Sequence, residues 1–588
     1  MKKILRRLGQ SKIIGKLPKN EELNTIVSSF SKKELIAFFS LVAVLVVSTL
    51  LILESINKSF MVGVPIQGGN ISEGVVGTPR FINPVLAFSD TDQDLVALIY
   101  SGLMRKDAEG NLVPDLASKY DVSSTGLIYS FTLRDNIYFQ DNTPVTADDV
   151  VFTINSAKDP IIKSPRKGSW DGVTVEKIDD KTVKFTLKQP YASFLENTTL
   201  GIMPARVWAD SPIELNNANT NPIGSGPYMV EERDIQSSGI INSYTLAPFK
   251  KFVLGAPYIE NITLRFYSNE NDLIAALLGN EVGQISSITP ENAETLKEKG
   301  YRIESAPLPR IFGLFFNQNQ NQIFTNKVVV RAINDAINKS RIVQEVLSGN
   351  GLVIDSPIPP DMVSQATPSL AKSSDRAEVI KNVEAALAKD RWKRGTSGFL
   401  EKTVTGKNKK KTTTVLEFSI STGNAAELAK SAELIKQDLA EIGMKVDIKT
   451  FEIGNLNQSV IRPRKYDALL FGEIINHPSD LYAFWHSSQR KDPGLNVAMY
   501  TNAKVDKILE DAFVSPDEKS RKQKYVQFES EVKKDMPAVF LYSPNFLYVV
   551  SKNISGLSME NIISPADRFL SVYKWYIVED NVWKIFAR

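Results

Sequence analysis

Leu133-Arg134-Asp135-Asn136-Ile137-Tyr138-Phe139-Gln140-Asp141-Asn142-Thr143-Pro144-Val145-Thr146-Ala147-Asp148-Asp149-Val150 is the stretch on which the fold turns. Running into it, Leu127 to Leu133 (LIYSFTL) alternates with the period of two expected of a half-buried strand. At its far end Thr146 stands three residues before Asp149 and ahead of an apolar run, close to a capping box. A helix is therefore predicted to start there. Outward from this core, Thr182 to Leu187 reads as another strand. Helices are predicted over Lys327 to Leu347 and over Ala425 to Ile442, the latter stopped by Gly443. No long low-complexity segment or short-period repeat interrupts this alternation, so a mixed α/β architecture is expected.

At 588 residues, the chain has room for roughly three or four domains. A hydrophobic fraction of 43% and an aromatic fraction of 9% exclude a disordered chain. With no cysteine, thiol nucleophiles, disulfides, thiolate zinc sites, iron–sulfur clusters and lipid-bearing cysteines are all excluded. The sequence lacks GxSxG, GxxxxGK[ST], HExxH and a strand-borne GxGxxG. Gly224-Ser225-Gly226-Pro227-Tyr228 meets a proline at once and reads as a turn. His477 and His486 lie nine apart, which is not a ligand spacing on one helix, and Asp480 would complete only a weak set. Lys402 to Lys411 (KTVTGKNKKK) lacks interleaved aromatics and reads as a solvated hairpin tip. Without visible reaction machinery, a binding protein is the leading class; no enzyme, cofactor or metal is expected.

From Leu35 to Leu53 the chain reads LIAFFSLVAVLVVSTLLIL, nineteen residues without a charge. As a helix this spans about 28 Å, close to the hydrocarbon core of a bilayer. Glu54 to Lys58 offers no small-x-small cleavage site, so a retained signal anchor is expected over 34–55. Residues 1–33 carry nine Lys/Arg against Glu21 and Glu22, while only Lys58 follows closely. That asymmetry places this basic tail in the cytoplasm and the rest outside the cell membrane. Removing those nine cations and two acids from the totals of 70 and 67 leaves 61 against 65. The large extracytoplasmic part is mildly acidic, so no nucleic-acid partner is expected.

Beyond the anchor, an ordered set of motifs resembles the extracytoplasmic solute-binding proteins of family 5, the receptors of oligopeptide, dipeptide and nickel ABC importers. Gly68-Gly69 and Thr78-Pro79-Arg80-Phe81-Ile82-Asn83-Pro84 resemble the opening strand and its turn, and Val113 to Ala117 the following "vPxLA" step. The run Leu133 to Val150 is similar to the family's "LRdgvxFhdGxPxtAxDV", with Asn142 at the glycine, a residue tolerant of the left-handed conformation. Gly224 to Tyr228 stands at "GTGPY"; Phe316-Asn317 and Val330 to Lys339 stand at "fN…VRxAixxAidr". Val505 to Leu509 and Asp535 to Val539 resemble two late segments. Arg331 is placed where its guanidinium can hold a carboxylate or loop carbonyls.

The resemblance implies a two-lobed α/β fold of the periplasmic-binding-protein type, with hinged lobes, behind one N-terminal transmembrane helix. Lobe one is expected at 62–315 (with an extra subdomain near 106–222) and lobe two at 316–540, with 541–588 returning to lobe one. It implies a membrane-tethered receptor of an ABC-type importer for peptides or peptide-like solutes, capturing its ligand by hinge closure of the two lobes. The partners implied are a small solute or short peptide and ABC-type permease and ATPase subunits, with the receptor monomeric. The ligand set implied is Gly77 and Thr78 on one side, Phe471, Gly472, Glu473 and Ile474 on the other, with Asn317 nearby. Asn476 stands where peptide receptors carry an amine-binding aspartate; Phe316 and Trp485 are expected as apolar walls. A non-transporting structural or signalling protein, a nickel or haem receptor, and a surface hydrolase are the alternatives.

Overall fold

The computed structural model describes residues 30–107, 109–191, 193–360, 362, 375–405, 411–515 and 517–587. It divides into two compact units, a small one of residues 1–66 and 578–588 and a large one of 67–577. The small unit is built on helix α1 (Lys32–Phe60), whose start is closed by a reciprocal Ser31–Glu34 capping box. None of its apolar surface is buried, and it is long and apolar enough to cross a membrane. The anchor expected at 34–55 lies inside α1; the basic tail before residue 30 lies outside the described residues. Strand β1 (Met61–Pro65) follows directly.

In the large unit β2 (Asn70–Val76) leads to α2 (Asp90–Ile99). Strands β3 (Ala117–Val122) and β4 (Ile128–Leu133), helix α3 (Ala147–Lys158), then β5 (Val173–Asp179) and β6 (Thr182–Leu187) follow. The four strands make an antiparallel sheet in the order β3-β4-β6-β5. The run quoted first behaves as its residues predict. Asn142 takes φ +68°, and the Asp149 carboxylate accepts both the N–H and the hydroxyl of Thr146 at 2.9 Å. Gln140 ties the run to its surroundings: its amide donates to the carbonyls of Ile99 and Tyr228, while its oxygen accepts from the Gly224 N–H.

A large sheet joins the two lobes. Its strands are β7 (Tyr228–Ile235), β8 (Ile241–Pro248), β9 (Asn261–Tyr267), β10 (Gln284–Ser286), β11 (Arg302–Pro307) and β12 (Arg310–Phe316), then β13 (Glu417–Gly423), β14 (Lys445–Phe451), β15 (Ala468–Ile474) and β16 (Ala538–Val550). The path runs β14-β13-β15-β12-β16-β10-β2-β9-β8-β7, and β11 also pairs with β16. Strand β16 crosses between lobes: Ala538 to Tyr542 pair with β12, whereas Asn545 to Val550 pair with β11. At the seam the Leu308 N–H donates to the Pro544 carbonyl, and the buried Ser543 hydroxyl donates to the Leu308 carbonyl at 2.8 Å.

The apolar cores divide at the same place. One cluster takes in Leu308 and Phe546, while the clusters of the other lobe include Ile311, Leu314 and Tyr542. A lobe boundary at 315/316 would fall inside β12, whose ladder with β15 belongs wholly to the second lobe. The crossing lies at Leu308-Pro309 instead.

The helix predicted over 327–347 is two, α4 (Lys327–Ala336) and α5 (Lys339–Leu347). Asn338 breaks it by capping α5 through the Arg341 N–H, with its own N–H held by Asp438. Arg331 is exposed on α4 and holds no carboxylate among the described residues; Arg341 and Arg376 bind Asp438 instead, at 3.1 and 3.2 Å. Asp438 lies on α6 (Ala426–Glu441), which ends before Gly443 at φ +79° as expected. Strands Leu400–Thr405 and Lys411–Val415 pair as a hairpin, whose tip at 406–410 lies outside the described residues. In the small unit the last strand, β17 (Glu579–Trp583), runs antiparallel to β1.

Candidate functional site

Strand β15 is apolar on both faces, so its exposed backbone edge, more than its side chains, sets what it can bind. Antiparallel pairing to β12 puts Ile474 opposite Arg310 and Gly472 opposite Phe312, and the Ile475 N–H donates to the Pro309 carbonyl. Alternation of ladder bonds then points Phe471 and Glu473 toward β12, and Gly472 and Ile474 away from it. On that far side β13 pairs only with Ala468 to Leu470. The N–H and C=O groups of Gly472 and Ile474 therefore face an edge that β13 no longer covers. A Cβ on Gly472 would come within 2.9 Å of the Phe312 ring, which itself stacks on Tyr542. Glycine at 472 keeps both the ring and the edge in place.

Glu473 does not offer a charge to this edge. It is 2% exposed, its Oε2 has no hydrogen-bond partner among the described residues, and burial lifts its pKa well above the ordinary carboxylate value. The Glu473 side chain, expected in the ligand set, is therefore corrected to one packed inside the lobe. Phe316 is likewise corrected: it is fully buried and stacks on Phe324 at 4.5 Å. Its neighbour Asn317 spends its amide on the Arg464 carbonyl and its N–H on that of Asp467. Trp485 is 1% exposed among Phe315, Tyr500, Phe528 and Phe540, a core anchor rather than a wall. Phe471 is half-buried, whereas Ile474 and Asn476 are exposed.

On lobe one, Gly77 and Thr78 follow β2. Gly77 adopts φ +109°, donates its N–H to Tyr267, and would clash with the Thr91 hydroxyl if it carried a Cβ. Thr78 is exposed. The turn that follows is pinned by Asp92, whose carboxylate accepts the N–H groups of Arg80 and Phe81 at 2.7 and 2.9 Å. Behind it, Arg568 is wholly buried between Glu73 of β2 and Asp94 of α2, and the Tyr548 hydroxyl donates to Glu73 at 2.6 Å. This charged cluster fixes β2 and α2 together, and with them the Gly77–Thr78 edge.

Arg310 links the two sides. It begins β12 beside Ile474, burial pulls its pKa down, and Asp90 at the start of α2 acts electrostatically against that. Farther out, Tyr191 of lobe one stacks on Phe513 of lobe two at 5.1 Å, and its hydroxyl meets that of Ser479 at 3.5 Å. Glu196 pairs with His477, with Lys106 at 3.8 Å. Burial would raise the Glu196 pKa, but the His477 hydrogen bond and the nearby cations hold it below the ordinary value. His486 stacks on Tyr482 and uses its Nδ1 on Ser488. The sequence reading missed Arg310, Tyr191, Glu196 and Phe513. Only Arg310, a lone cation opening an apolar strand after Pro309, left a readable signal.

Residues 111–493 match the family described as bacterial extracellular solute-binding proteins, family 5 Middle. The oligopeptide-binding protein AppA of Bacillus subtilis is 27% identical over 528 residues, covering 88% of this chain and 93% of its own. The glutathione-binding protein GsiB of Pectobacterium atrosepticum is 26% identical over 520 residues, covering 84% and 93%. The structure of AppA in complex with a nonapeptide matches with a TM-score of 0.63, covering 88% of this chain and 100% of that one. The ABC transporter substrate-binding protein CtaP of Listeria monocytogenes matches with a TM-score of 0.71 at 24% identity, covering 87% and 99%, and speaks to the fold alone.

Proposed function

We propose, from the premise that the chain belongs to the bacterial extracellular solute-binding proteins of family 5, that it is a receptor for peptides or peptide-like solutes, tethered to the cell membrane by α1 with its large unit outside. It captures solute between its lobes and delivers it to an ABC-type permease and ATPase, and it performs no reaction. The observation that carries this reading is the uncovered edge of β15 at Gly472 and Ile474. An extended peptide can add there as a further strand, its main chain supplying affinity independent of sequence. The Gly77–Thr78 edge is the second rail, and Asn476 caps one end of the ligand as a neutral acceptor.

Closure on this reading is a hinge motion about two short crossings, Leu308-Pro309 and Ser543 to Asn545, where the ladders and cores change lobes. Tyr191–Phe513 and Glu196–His477 are contacts that hold the lobes together. Relatives named for oligopeptides and glutathione support a peptide-like solute. The test is native mass spectrometry of the detergent-solubilised full chain. The expected spectrum shows adducts of short-peptide mass that disappear in Gly472→Val. An apo mass alone, together with no thermal shift on a pooled peptide library, would overturn the reading.

A further inference from the structure

We infer that Trp583, Ile585 and Phe586 form a second membrane contact, seated in the headgroup–acyl boundary of the leaflet from which α1 emerges. The inference rests on reading α1 as a bilayer-spanning helix. Its uncharged run ends at Leu53, but the helix continues to Phe60, roughly 10 Å farther at 1.5 Å per residue. That extension crosses an interfacial layer about 5–8 Å thick on each side of the hydrocarbon.

Strand β17 returns the chain to this level. Trp583 pairs in register with Met61, its indole N–H donates to the Asn57 side chain at 2.9 Å, and the Lys584 N–H donates to the Phe60 carbonyl at 2.9 Å. Asn57 lies about 6 Å past the end of the apolar run, so the indole is held at headgroup depth. Trp583 is 48% exposed, Ile585 77% and Phe586 71%, and Phe60 beside them is also exposed.

Such a patch is a liability in water and an asset at a bilayer surface, where tryptophan is favoured and exposed apolar side chains find acyl chains. The exposed Lys584 adds a cation that suits anionic headgroups. The occupant is the lipid surface itself, because the patch is continuous with the helix that enters it. One strand of the ladder is thus the covalent continuation of the anchor, and the other brings an independent apolar foot to the same leaflet.

The chain has six tryptophans, and the other five (Trp170, Trp208, Trp392, Trp485 and Trp575) are buried. Trp583 is therefore the indole that lipid-borne quenchers can reach. The full chain is reconstituted into phosphatidylcholine vesicles carrying bromines either near the carbonyl end or near the methyl end of the acyl chain. Flotation after an alkaline carbonate wash is measured in parallel. The expected result is quenching by the shallow bromines that exceeds quenching by the deep ones and vanishes in Trp583→Phe. It should fall by half or more in Ile585→Ser/Phe586→Ser with an unchanged far-UV circular dichroism spectrum.

Floating protein whose quenching is unchanged by Trp583→Phe would overturn the contact while leaving the anchor intact. Failure to float would overturn anchor and contact together. Unquenched Trp583 whose shielding from aqueous acrylamide grows with protein density would assign the patch to a second copy of the chain and also overturn the contact.

Discussion

The Gly77–Thr78 and Gly472–Ile474 segments, the two rails of the proposed cleft, are held by opposite means. On lobe one, Gly77–Thr78 rests on a buried charged cluster, Arg568 with Glu73, Asp94 and Tyr548. On lobe two, Gly472–Ile474 rests on an aromatic and aliphatic cluster around Trp485, into which one acid, Glu473, is folded with its pKa raised by burial. An ion cluster is directional and fixes β2 against α2, but it punishes the loss of any member. An apolar cluster tolerates change of shape better and keeps charge away from the backbone edge proposed to accept peptides.

The largest effect should come from breaking the charged rail. Arg568→Ala leaves two buried carboxylates unpaired and should cost about 3–5 kcal/mol in denaturant unfolding. Removing the apolar anchor should cost a similar or slightly smaller amount: Trp485→Ala, about 3–5 kcal/mol by the same measurement. A loss below about 1 kcal/mol in either would mean the corresponding rail is held by something else.

Glu473→Gln sharpens the contrast. A carboxyl whose folded pKa is raised contributes stability below its unfolded value and loses it as pH rises toward the folded value. Wild-type stability should therefore fall as pH climbs from the ordinary carboxylate range. Glu473→Gln should flatten that slope, with a difference of about 1–3 kcal/mol at the alkaline end. Parallel pH profiles for the two proteins would place Glu473 in contact with water or a cation.

The smallest effect belongs to the contacts between lobes. Glu196→Ala removes a partly exposed pair worth about 0.5–1 kcal/mol, which should shift small-angle scattering toward a larger radius of gyration. Because the Glu196 pKa is depressed by contacts across the lobes, its contribution to closure is present above the ordinary carboxylate value. It should be lost as pH falls through the depressed value.

The lobe-one landmarks were legible because local chemistry decides them. Thr146 with Asp149 and the left-handed Asn142 act over three or four residues. The break at Asn338 was not legible, since it needs Asp438, a hundred residues away. Phe316 was misjudged for another reason. Arg310 to Phe316 reads RIFGLFF, apolar on both faces, so a period of two cannot say which ring looks outward. Glu473 was expected in the ligand set from the family resemblance, yet its side chain is buried and its pKa is raised by that burial. The backbone edge at Gly472 and Ile474 was the better guide, because glycine at 472 is demanded by the Phe312 ring opposite.

Residue-resolved hydrogen exchange of the β15 amides, with co-purified cargo and after its removal by denaturant wash and refolding, tests the strand-addition account most directly. Cargo should slow exchange at Gly472 and Ile474, whose amides face the uncovered edge, and leave Phe471 and Glu473, already paired to β12, unchanged. Equal exchange at Gly472 and Ile474 in the two states would contradict it.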